Sequence, residues 1–283
     1  MNIENYLNFL MYALIYLVMA VVMKLILNFR SINHYAADQV IADGNLAVGL
    51  RRSGAQFGLA IAMVGVMAGA SSDSMANDLL ITFAYGLLAI LFMVLSLTIT
   101  DRFVLRKINN SEELKKGNVS VGFVEFGTLI MTGIIAYASI QGDDGGAVSS
   151  LVYFVAGQIS VLVLVMAYER VFSNRLNVVE SIHAGNESAG IYLAGKIIAY
   201  GLILQSAIVS NGAVQSLQTS AIEFVVAALS GIVILYIFEI LIDKVIITGT
   251  TVRDIIEKNQ IVAAVQLSIA KVGMSMFLGM AIL

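Results

Sequence analysis

Long apolar runs separated by short polar segments dominate the chain. Eight runs stand out: Tyr6 to Leu27, Leu46 to Ala70, Leu79 to Thr100, Val119 to Ile140, Ser150 to Tyr168, Ser188 to Val209, Ser220 to Ile242 and Ile261 to Leu283. Each holds about 20 residues, which at about 1.5 Å per residue crosses a hydrocarbon core about 30 Å thick. The runs are continuous rather than alternating, and they are too long for barrel strands. Lipid offers no partner to an open sheet edge, so helices remain. The pattern predicts an all-α membrane protein of eight transmembrane helices.

Composition agrees. The 283 residues are 59% hydrophobic and only 12% charged, against roughly 25% charged in soluble domains. Mean hydropathy is +0.90. There is no cysteine, which excludes disulfides, thiolate nucleophiles and Cys-based metal sites. His34 and His183 are the only histidines, too few for a His-rich metal site. Proline is absent, so helix interruptions fall to the 24 glycines. Tryptophan is absent too, which leaves tyrosine for the interfacial belt. The first apolar run has its positive residues after it, not before it, so no cleavable leader is expected.

Charge placement predicts the orientation. Arg30, Arg102, Arg106, Lys107, Lys115, Lys116, Arg170, Arg175, Lys244, Arg253 and Lys258 fall in or beside the loops after runs one, three, five and seven. The other loops, SSDSMAND, QGDDGGAVSS and SNGAVQSLQTS, hold no Lys or Arg. The positive-inside rule makes the basic loops cytoplasmic and puts both termini outside. A bacterial inner membrane is the expected location.

The basic loops end alike: DGNLAVGLRRSG, KGNVSVGFVEFG, AGNESAGIYLAG and EKNQIVAAVQLS. Aligning Asn45, Asn118, Asn186 and Asn259 puts Gly49, Gly122, Gly190 and Ala263 in one column, and Gly54, Gly127, Gly195 and Ser268 in another. The asparagines recur 73, 68 and 73 residues apart. Each unit reads as a two-helix hairpin, so the repeats are parallel rather than inverted. Asp101-Arg102, Glu169-Arg170 and Asp243-Lys244 precede the asparagines at similar distances, and the first copy offers Phe29-Arg30 without the acid.

This hairpin motif, doubled within a unit of four runs, resembles the domain-of-unknown-function 350 family, the YjfL-like bacterial inner-membrane proteins. The resemblance covers the chain as two tandem copies, residues 1–142 and 143–283. It implies a role in the cell envelope, beside membrane-remodelling proteins of the phage-shock type and ATP-grasp ligases. It carries over no catalytic residue.

The asparagines suit helix N-caps, and the glycine before Asn45, Asn118 and Asn186 eases the turn. A ring of helix N-termini that holds an anion is the alternative. The glycine columns suit close helix packing. Charged residues inside the runs are the main functional candidates, because such charges are costly and face an interior or a cavity. The candidates among them are Arg51, Arg52, Glu125, Lys196, Glu223, Glu239 and Lys271. Arg51 and Arg52 lie where snorkelling to the headgroups is within reach. Lys196 and Lys271 lie about 15 and 18 Å past their asparagines, too deep for that. Each lysine is expected to meet a carboxylate or carbonyl, with Glu125, Glu223 and Glu239 as candidates. The acid–base dipeptides suit helix C-termini and the anionic leaflet, or a ring at a vestibule. Asp143 and Asp144 read as part of a connector, with a weak divalent-cation contact as the alternative.

No phosphate-binding Gly-Lys-Ser/Thr loop, nucleophile elbow or His-Glu-x-x-His motif is present. The expectation is a non-enzymatic membrane protein with no cofactor, metal or nucleic acid, which passes an ion or small solute along the repeat interface. The alternative is a scaffold in envelope maintenance whose basic loops dock a soluble membrane-remodelling protein or anionic lipid. Homo-oligomers fit either reading.

Overall fold

Apolar runs of this length satisfy their backbone groups internally, and the computed structural model is all-helical, with no strand, among its described residues, 3–69, 74–106, 109–141, 146–172, 177–209 and 217–282. The order is α1 (Ile3–Ser31), α2 (Ala37–Ala42), α3 (Leu46–Gly69), α4 (Met75–Ile99, continued by a π turn over Thr100–Val104), α5 (Asn110–Lys115), α6 (Val119–Gln141), α7 (Gly146–Phe172), α8 (Val178–His183), α9 (Glu187–Val209), α10 (Leu217–Val245), α11 (Val252–Glu257) and α12 (Ile261–Ile282). A long helix, a six-residue helix and a second long helix thus recur four times. The short helices fall in the basic loops and were not visible as periodic segments. Their starts are legible afterwards: Asn109, Asn177 and Thr251 each accept a hydrogen bond from the backbone N–H three residues on.

Seven of the long helices are apolar enough to cross a membrane, and α3, which carries Arg51 and Arg52, is not among them. The helices form two layers. α3, α6, α9 and α12 pack side by side in an inner row, and α1, α4, α7 and α10 lie outside it. Burial separates the layers: 83% of the spanning window is buried in α6 and in α9, but only 17–39% in the outer helices and in the terminal α12. The outer faces expose large apolar side chains such as Leu17, Leu25, Leu87, Ile159, Leu229 and Ile237, as lipid-facing helices do.

The glycine columns build the inner row. Five residues at 3.6 per turn place the two columns about 140° apart, on opposite flanks of one helix. One column faces the preceding unit. A Cβ on Gly122 would lie 2.8 Å from Ala47 Cα, and one on Gly190 2.7 Å from Ser120 Cα. The other column faces the following unit. A Cβ on Gly54 would lie 2.7 Å from Phe126 Cα, and one on Gly127 2.7 Å from Ala194 Cα. Backbone cannot yield to a methyl group, so glycine sets the helix spacing. A Cβ on Gly49, in the first of the described units, meets nothing within 4 Å.

The repeat asparagines join the units. Asn45, Asn118 and Asn186 accept the backbone N–H of Val48, Val121 and Ala189 at 3.0, 3.3 and 2.9 Å, each capping its own helix. Their amides then donate to Leu114 O, Ile182 O and Ile256 O at 2.9, 3.2 and 2.6 Å, on the short helix of the next unit. Each side chain therefore satisfies an orphan donor of one helix and an orphan carbonyl of another. Asn118 also donates to Glu113, and Lys116 and Asn118 together hold that carboxyl below its usual range.

The fourth unit differs from the sequence alignment. In the first three units Gly44, Gly117 and Gly185 take the left-handed conformation just before the capping Asn. In the fourth, Asn259 itself takes that conformation, with φ +48°. Gln260 thus stands where Asn45 stands, one residue later than the motif match implied. Asn259 reaches back instead, accepting from Ser188 N at 3.0 Å. The shift moves the glycine columns to Ala264, fully buried against α9, and to Ile269, which is exposed.

The two halves meet mainly where α6 packs on α9, and α7 adds contacts to α6 and α4. Phe92 and Phe154 stack with centroids 3.7 Å apart. Beside them Thr132 donates to Ser96 at 2.6 Å, and Ser96 donates to Gln158 at 3.1 Å.

Candidate functional site

Among the described residues, five charged side chains in the long helices are almost wholly withdrawn from solvent: Arg51, Glu125, Lys196, Glu239 and Lys271, none more than 4% exposed. They fall into two clusters, one in each half.

In the first half, Arg51 on α3 meets Glu125 on α6, with Nε 3.0 Å from Oε2. Arg51 also donates to the Tyr35 hydroxyl at 3.3 Å. Both charges stand on inner-row helices that glycine brings close together, and the cavity beside Arg51 is only about 10 Å³. That is about one water's worth of space. Arg51 therefore does not snorkel. Its neighbour Arg52 does reach the helix ends, where it pairs with Asp38 at 3.1 Å and donates to Asn28 at 2.6 Å. Nearby, Asp101 joins Arg30 and Asn110.

The second half places its charges differently. Lys196 on α9 pairs with Glu239 on α10 at 2.8 Å, and Lys271 on α12 pairs with Asp243 on α10 at 3.0 Å. Glu239 and Asp243 are four residues apart, so both look inward from one face of α10. Tyr192, Lys196 and Tyr200 recur at the same spacing on α9. The Lys196 ammonium lies 3.8 Å from the Tyr168 ring centre, with Tyr200 and Tyr192 at 5.7 and 5.9 Å. Tyr168 donates to the Tyr192 hydroxyl at 3.2 Å, which also accepts from Lys271 at 3.1 Å. Two ion pairs are thus linked through two phenols. Glu239 keeps one buried oxygen, Oε1, that accepts no hydrogen bond from the described residues.

This second cluster is open. A cavity of about 910 Å³ runs from the α10–α11 loop, past Lys244, Gly249, Thr251 and Arg253, to Tyr168, Lys196 and Glu239. It lies over α9 between α7 and α10, two outer helices that barely touch, whereas α1 and α4 pack together over the first half. At the mouth, Thr251 and Lys258 hydrogen-bond Asp254 and hold its carboxyl below the usual range. Among the described residues, no carboxylate pairs with Lys244.

Several expectations need correction. Glu223 is exposed on α10 and belongs to neither cluster. Glu125 pairs with Arg51 rather than with a lysine. Asp243, expected only as a helix-end acid, is the partner of Lys271. Arg102, Arg170 and Lys244 are exposed, and Asp101 is half-buried. The Glu169 side chain, Lys107, Asp143, Asp144 and Arg175 lie outside the described residues. Residues missed from the sequence are Tyr35, Tyr168, Tyr192 and Tyr200. The four-residue spacing of Tyr192, Lys196 and Tyr200 was the available signal. Among the described residues no group of three or more His, Cys, Asp or Glu side chains is placed to hold a metal.

Known proteins agree with the membrane reading and leave the chemistry open. The chain is 23% identical over 222 residues to a UPF0719 transmembrane protein of Aquifex aeolicus (strain VF5), covering 76% of this chain and 80% of that relative. No solved structure matches. The family described as Domain of Unknown Function (DUF350) matches twice, over residues 1–140 and 144–282. This multi-pass membrane protein therefore belongs to the DUF350 family, as two tandem copies of its domain.

Proposed function

We propose that this protein is a non-enzymatic permeation protein of a bacterial inner membrane, and that its path runs through the second half. One observation carries the reading: an open cavity of about 910 Å³ reaches a buried ion pair, Lys196 with Glu239. A purely structural pair gains nothing from such access, because water weakens the attraction that offsets desolvation. The cavity starts at the basic loops, which the positive-inside rule makes cytoplasmic, with both termini outside. Lys196 lies about 15 Å along α9 from Asn186, near the middle of the bilayer. The Lys196–Glu239 pair acts as the gate that a small charged solute or proton must open. α3 is the eighth span, because Glu125 neutralises its Arg51, and the four units are hairpin repeats.

The test is flux. Reconstituted vesicles should leak protons, an alkali cation or a small anion faster than empty liposomes, and Lys196→Met should change the rate. No flux above empty liposomes for any of them rejects the reading. The sealed first half favours a second role, a scaffold whose exposed Lys115 and Lys116 dock a soluble envelope protein or anionic lipid. Reversing both charges should then abolish co-purification.

A further inference from the structure

We infer that the vestibule takes a ligand bearing an ammonium group, seated on Glu239 Oε1 among the tyrosine rings. This deepens the permeation reading and rests on it for the use of the vestibule, though binding itself does not require transport. The site already holds one ammonium, that of Lys196, against the Tyr168 ring and Glu239 Oε2. Aromatic faces and a desolvated carboxylate recognise cations. Unused capacity at the site is of the same kind. Glu239 Oε1 is buried and accepts no hydrogen bond from the described residues. Tyr236, three residues before Glu239 on α10, adds a third ring to the cavity wall beside Tyr168 and Tyr192.

An anion fits poorly at this depth. Both deep cations are committed, Lys196 to Glu239 and Lys271 to Asp243. A phosphate would find Lys244 and Arg253 only at the mouth, where both are exposed. The ammonium has two sources with one chemistry: a water-soluble amine that enters from the loops, or a lipid headgroup that enters between α7 and α10.

Thermal unfolding of the purified full chain separates these. n-Butylammonium chloride should raise the midpoint saturably beyond equal sodium chloride, since a ligand of the native state stabilises it. Glu239→Gln should weaken the effect roughly ten- to hundredfold, the loss of one hydrogen bond to a charged group. Lys196→Ala should show a larger rise than the wild type, because the added amine replaces the missing ammonium. That rescue keeps the test decisive if Glu239→Gln fails to fold. Phosphatidylethanolamine acting where butylammonium does not identifies the lipid source. Saturation absent from both the wild type and Lys196→Ala with either amine overturns the inference. So does an equal rise in Glu239→Gln, or stabilisation by phosphatidylglycerol alone. Binding without flux leaves the inference standing and removes the permeation reading, and flux without binding does the reverse.

Discussion

The two halves share one scaffold and use their buried charges in opposite ways. Arg51 and Glu125 stand on neighbouring inner-row helices, where glycine contacts leave space for about one water beside Arg51. Lys196 and Lys271 instead reach outward to Glu239 and Asp243 on α10, an outer helix that α7 barely touches. Placement decides access: a pair between inner helices is sealed, and a pair between layers opens wherever the outer layer parts. Two copies of one domain share the frame, and the placement of the buried charges makes one half a wall and the other a vestibule.

The largest effect should come from breaking the sealed pair. Arg51→Ala or Glu125→Ala strands a buried charge and should cost about 3–5 kcal/mol in unfolding followed by circular dichroism. Replacing both with Met and Leu should recover most of that loss. Glu239→Ala should cost less than Glu125→Ala, because the vestibule admits water to the stranded Lys196. Equal costs in the two halves would erase the distinction drawn here.

Glycine substitutions come next. Gly127→Ala pushes a methyl group against Ala194 backbone and should cost about 1–3 kcal/mol. Gly49→Ala meets nothing and should be neutral or stabilising by up to about 1 kcal/mol. Asn118→Ala removes a cap and a link to the next unit, for about 1–2 kcal/mol. Asn259→Gly, at a left-handed residue that caps no helix of its own, should cost less than Asn118→Ala.

The smallest effect is electrostatic. Lys116 and Asn118 hold the Glu113 carboxyl below its ordinary 4.5. Its contribution is therefore present above that pH and fades as pH falls through the depressed value. Thermal midpoints measured from about pH 6 down to pH 3 should drop less steeply in Glu113→Gln than in the wild type.

Most of the scaffold was legible because lipid leaves so few solutions. Spanning length, the basic loops and the Gly-Asn motif came directly from residue type and spacing. The six-residue helices were too short to show a period. The one-residue shift at Asn259 was hidden because Asn, like Gly, tolerates the left-handed region, so motif matching set it against the wrong column. Glu125, Lys196, Glu239 and Lys271 were legible as interior charges, but their partners were not, and Arg51 is buried although its depth put the headgroups within reach. Pairing depends on which helices are neighbours, and the two-layer order cannot be read from hydropathy. Asp243 was discounted because an acid beside a lysine at a helix end reads as solvated. Glu223 was overvalued because depth along a helix says nothing about which face a residue takes.

The central claim is that water reaches the Lys196 position from one side while its counterpart in the first half stays dry. Because the chain has no cysteine, single substitutions report without background. Lys196 and Ala55 each lie ten residues past their capping asparagine, Asn186 and Asn45. A charged, membrane-impermeant thiol reagent should modify Lys196→Cys rapidly from the face that bears the basic loops, and leave Ala55→Cys untouched in the folded protein. Equal rates at the two positions, or a Lys196→Cys that reacts only after unfolding, would contradict the account.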